Sequence, residues 1–129
     1  MTFSCAVGET LLPPKHEALP NINHLWVILT EPQGAAEEVI VANLTDQDDH
    51  IDQTVMLNVG CHPFVVKPTV IAYGEAKIRA KKDLLMLVAK GLVIPRQPFT
   101  GKLIMDIQKG ICASLHTKNK VKNFWRNRV

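Results

Sequence analysis

Three runs of apolar, largely β-branched residues constrain this chain most: HLWVILTE (24–31), EVIVANLT (38–45) and VVKPTVIAY (65–73). Their length and composition suit strands, and turn residues separate them. Pro68 has no N–H to donate, so it marks an edge or the point where a new strand begins at Thr69. Residues 3–12 predict a further short strand, with a turn at Gly8 and Glu9, and TVML predicts another. The segment 13–23, PPKHEALPNIN, predicts a surface loop long enough to serve as a lid.

The pattern changes from Glu75. Ile78, Leu84, Leu85, Leu87 and Val88 recur near helical spacing, with Gly91 as the stop. LVIPRQPF reads as an extended connection. Leu103, Ile104, Ile107, Ile111 and Leu115 then fall on one helical face, where Gly110 is a mild weakness. About five short strands followed by helices predict a β-rich α+β fold. Its form would be a small, strongly bent antiparallel sheet or barrel closed by C-terminal helices. A length of 129 residues fits one domain, with 1–117 as its body and 118–129 as a basic C-terminal tail.

Charge is distributed unevenly. Residues 1–66 hold one basic residue and nine acids, whereas 67–129 hold fourteen basic residues and three acids. The two parts carry −8 and +11, for a net +3. Either the second part meets a polyanion, or the two parts pair with each other. The tail TKNKVKNFWRNRV interleaves Phe124 and Trp125 with Lys118, Lys120, Lys122, Arg126 and Arg128. That composition suits phosphate contact and base stacking, Lys67 joining the same basic set. The other reading packs Phe124 and Trp125 onto the barrel and leaves a solvated basic fringe.

Three cysteines without a CxxC pair suit reduced thiols, with Cys112 in the core and Cys61 a small hydrophobe or, less simply, a nucleophile. The N-terminus lacks the basic and long apolar regions of a signal peptide, and no apolar run would span a membrane. A cytoplasmic protein is expected. The acidic connection with Asp46, Asp48, Asp49, His50 and Asp52 reads first as solvated loop, because it lacks the glycine and closing glutamate of a calcium loop. No P-loop, GxGxxG, GxSxG, HExxH or zinc-ligand pairing occurs, so neither cofactor nor metal is expected.

His24 and His62 each open a strand. Two imidazoles meeting at one phosphate could serve as acid and base for RNA cleavage through the 2′-hydroxyl, since both titrate near neutrality. Each could instead bond a turn. Thr45 closes a strand, where its hydroxyl can hold the next turn or a phosphate oxygen.

The order of these segments resembles the PemK/MazF/Kid group of toxins from bacterial toxin–antitoxin modules. VGETLL stands where that group has a Gly-Asp motif, PPKHEALPNIN stands for its loop, and HLWVILTE for its Arg-Pro strand. EVIVANLT stands for the strand ending in Thr or Ser, and PTVIAYGEAKI for a following strand. His24 occupies the position of the group's catalytic arginine, Leu25 that of the proline, and Thr45 aligns with the catalytic Thr or Ser. The resemblance implies an SH3-like small barrel, a homodimer, an antitoxin partner and metal-free cleavage of single-stranded RNA. His24, Thr45 and His62 are then the expected catalytic residues, with Lys67 and the tail cations drawing RNA in. The alternative on the same barrel is a non-catalytic module that binds nucleic acid or protein.

Overall fold

The computed structural model describes residues 2–13, 24–47 and 51–128. Six strands and three helices follow in the order β1 (Thr10–Leu12), β2 (Trp26–Ile28), β3 (Glu38–Asp46), β4 (Met56–Leu57), β5 (Thr69–Ala80), α1 (Lys81–Ala89), β6 (Ile94–Arg96), α2 (Gly101–Ala113) and α3 (Asn119–Asn127). The strands form one curled sheet, β4-β5-β3-β2-β1-β6, with every pairing antiparallel. The β-rich α+β class follows, and β5 begins at Thr69, directly after Pro68, as expected.

β3 is buried on both faces, which explains its nearly unbroken apolar run. Ile40, Ala42 and Leu44 point into a cluster with Leu25, Val27, Ile71, Tyr73, Ile104, Ile107 and Ile111. Val39 and Val41 point the other way, to Leu11, Ile28, Leu84 and Val93. The helix α2 covers the first face and α1 the second. Leu115, expected on the α2 stripe, is 92% exposed because the helix ends at Ala113.

Glu75 to Ala80 are strand, where helical spacing had predicted the start of a helix; α1 begins only at Lys81. The reason is a bulge. Val41 pairs with Lys77 but Asn43 pairs with Ala72, so Tyr73 to Ala76 stand against Ala42 alone. Tyr73 and Ala76 both enter the first cluster, three residues apart, which mimics a helical step. α1 ends as foreseen at Gly91, whose N–H donates to Val88 while Leu92 N–H donates to Leu87, a Schellman close.

In the N-terminal segment the turn expected at Gly8 and Glu9 falls at Val7 and Gly8, and the short strand is confined to Thr10–Leu12. The Glu9 carboxylate accepts from Ser4 N–H, Ser4 Oγ and Ala6 N–H at 3.1, 2.7 and 2.7 Å. Gly8, at φ +88°, bonds Ile28 through its N–H and Phe99 through its carbonyl. A Cβ there would lie 2.2 Å from the Phe99 carbonyl oxygen. The basic tail folds as α3, with Val121, Phe124 and Trp125 against the first cluster.

Candidate functional site

The bulge sets which β5 side chains reach which face. Before it, odd-numbered residues (Ile71, Tyr73) enter the core beneath α2; after it, even-numbered ones (Ala76, Ile78) do. Lys77 and Arg79 are thereby turned to the opposite face. Bulges re-aim side chains in this way beside functional sites. There Lys77 and Arg79 line a cleft with Trp26, Val41, Asn43 and Leu84. Trp26 and Asn43 are direct cross-strand partners.

The cleft holds about 120 Å³, below the roughly 300–1,000 Å³ of an enclosed small-molecule pocket. It suits an edge of a larger ligand lying across the surface. One indole, one carboxamide and two cations converge on it, with no acid among its lining residues.

His24 and Thr45 extend this row. Leu44 N–H donates to Leu25 O at 2.9 Å, continuing the ladder beyond Trp26 and Asn43. One further step of the same register sets His24 opposite Thr45, on the side of Trp26 and Asn43. Both residues are half-buried. Thr45 is also flanked by Val70 of β5. By that register the two strand ends singled out in the sequence fall on one face.

His62 lies elsewhere. It is 5% exposed, and its ring packs on Phe99, with centroids 4.4 Å apart, on the α2 side of the sheet. Its Nδ1 accepts from Phe64 N–H at 3.0 Å, so the proton is on Nε2, which donates to the Gln97 carbonyl at 2.5 Å. Both nitrogens hold backbone, and the sheet separates this ring from His24. The hollow beside it, about 340 Å³ between Leu12, Phe64 and Arg96, gathers only one charged side chain.

The chain matches no family model, no curated protein and no solved structure.

The expected cations divide. Lys67 ion-pairs with Asp46 at 2.9 Å on open surface, an interaction worth little in water. Lys118 and Lys120 stand at the start of α3, beside Lys77 and Arg79. Lys122 and Arg126 lie further along the helix. Trp125 packs on the core, and the Arg128 guanidinium covers its ring at 3.3 Å, so that indole already has both a floor and a lid.

Asp52 is 1% exposed and accepts from Ser114 Oγ at 2.7 Å and Thr54 Oγ1 at 2.6 Å. Burial pushes its carboxyl upward, but these hydrogen bonds outweigh burial and hold it below the usual range. It ties its loop to the end of α2. Asp48, Asp49 and His50 lie outside the described residues, as do residues 14–23 of the lid expected over 13–23. Among the described residues no three acid, His or Cys side chains gather as a metal site. Burial raises the Cys5 thiol to about 11, and desolvation also raises that of Cys61, which sits exposed rather than in the core. Neither is activated as a nucleophile.

Trp26, Asn43, Lys77 and Arg79 were not legible as a site in the sequence. Trp26 sits inside an apolar run, and Lys77 and Arg79 sit in a segment read as helix. The alternation K-I-R, ending a β-branched run, was the available signal.

Proposed function

We propose that this protein acts on single-stranded RNA across the Trp26 cleft, as an endoribonuclease of the toxin type. The observation that carries the reading is the row His24–Thr45, Trp26–Asn43, Lys77 and Arg79 on one face. An indole can stack a base, a carboxamide can read a base edge, and Lys and Arg hold phosphates. His24 supplies the imidazole, a side chain that can accept and return a proton.

In the reaction proposed, His24 takes the proton of a 2′-hydroxyl. The 2′ oxygen attacks the adjacent phosphorus and the bond to the 5′ oxygen breaks. Water protonates the departing 5′ oxygen, leaving a 2′,3′-cyclic phosphate and a 5′-hydroxyl. Lys77 and Arg79 offset charge building on the phosphate, and the Thr45 hydroxyl donates to one of its oxygens. The resemblance to the PemK/MazF/Kid group supports this assignment and adds an SH3-like barrel, a homodimer in the cytoplasm and an antitoxin partner.

The test is cleavage of a labelled single strand. Wild type should give cyclic phosphate ends in the presence of EDTA. His24→Ala should slow the cut by about 10²–10⁴-fold, the usual worth of a positioned acid or base. Intact RNA with wild type, or normal cutting by both His24→Ala and Thr45→Ala, contradicts the mechanism.

A second reading keeps the cleft and drops the chemistry. It draws on the placement of His62, which leaves one imidazole at the row among the described residues. Binding of single strands without cleavage selects this module.

A further inference from the structure

The free edge of β5 borders a second cationic cleft. Among the described residues β4 pairs with β5 only at Thr69 and Val70, so there Ala76 to Arg79 have a strand on the β3 side alone. Backbone groups along the other side are left without a strand partner. The start of α3 faces this edge, and the cleft between them holds about 140 Å³. Lys77, Arg79, Lys118 and Lys120 line it together with apolar Ala76, Ile78 and Val121. Among the described residues it contains no acid, and none of its four cations forms an ion pair.

Four like charges around one small cleft repel one another, and a polyanion relieves that repulsion. Lys77 and Arg79 line both this cleft and the Trp26 cleft. They form a shared ridge, so one strand can cross it and touch both sides. The second cleft has, among the described residues, no aromatic side chain to stack a base. Its chemistry recognises the phosphodiester backbone.

We infer that Lys118 and Lys120 form a phosphate subsite that extends the Trp26 cleft, the strand passing over Lys77 and Arg79 to lay its next phosphates between β5 and α3. This rests on the RNA reading of the Trp26 cleft. The site then spans several nucleotides, gains affinity with strand length, and gains it without regard to sequence at this end.

Fluorescence anisotropy on the full chain tests it, with 2′-O-methyl RNA strands of about three and about ten nucleotides, within the usual range of single-strand sites. Wild type should bind the longer strand more tightly. In Lys118→Gln/Lys120→Gln that gain from length should fall about tenfold. The salt slope on the longer strand should drop by about 1.4, at roughly 0.7 per phosphate contact for single strands. Lys118→Arg/Lys120→Arg should keep both. Both lysines are exposed, so the fold tolerates the changes. An unchanged length gain and slope in the Gln variant overturns the subsite while leaving the Trp26 cleft standing. Failure of wild type to bind either strand overturns the RNA reading and the subsite together.

Discussion

Gly110 has a purpose that helix propensity does not reveal. The Tyr73 ring crosses α2 at this point, and its hydroxyl donates to the Ile107 carbonyl at 2.6 Å. A Cβ on Gly110 would lie 2.0 Å from that hydroxyl oxygen and 2.3 Å from Cζ. Burial drives the Tyr73 phenol far above its usual range, so it stays a neutral donor at any working pH. Gly110→Ala should therefore destabilise by about 1–3 kcal/mol, the cost of overpacking, although alanine is the better helix former. Urea unfolding checks the sign, and a stabilised variant would remove the packing argument. Asp52 gives a pH prediction. Its carboxyl is depressed in the folded state, so its contribution is complete above the unfolded value near 3.9 and fades as pH falls through the folded one. Unfolding midpoints of wild type should drop on acidification from about pH 5 to pH 3. Asp52→Asn should start lower and fall less over that window.

β5 decides both where the site lies and why the sequence hid it. A strand of twelve residues that changes parity in its middle presents no continuous alternation. From Glu75 onward Ile78 and the leucines of α1 look like one helix to a reader of spacing, and Lys77 and Arg79 look like its solvated side. β2, β3 and the close of α1 were readable because Trp26–Ile28, Glu38–Asp46 and Gly91 keep one rule throughout. α3 shows the converse: a segment basic enough to read as tail is ordered by three residues that pack inward. Phe124→Ala should cost about 2–3 kcal/mol, toward the low end for an aromatic because the ring is half-buried. Lys122→Gln should change thermal stability little. Equal effects from the two would mean that α3 contributes charge and not packing.

Across the whole molecule the charge imbalance has a structural expression. Among the described residues two ion pairs, Asp46–Lys67 and Glu37–Lys81, join the acidic part of the chain to the basic part. Most of the remaining basic side chains have no ion pair among the described residues, so intramolecular pairing covers only part of the imbalance. The uncovered cations include Lys77 and Arg79, which the bulge delivers to the face of Trp26. The sequence disclosed His24 and Thr45 because strand ends are visible in it. It hid Trp26, Asn43, Lys77 and Arg79 because faces depend on register. The face of Trp26 is proposed to hold a single-stranded polynucleotide. The most direct measurement is the affinity of the full chain for a 2′-O-methyl strand, which binds but cannot be cut, with wild type and Trp26→Ala compared at equal salt. One lost base stack is worth about 1–3 kcal/mol, so the variant should bind roughly 5- to 150-fold more weakly with its salt slope unchanged. Equal affinities for the two proteins would contradict the claim.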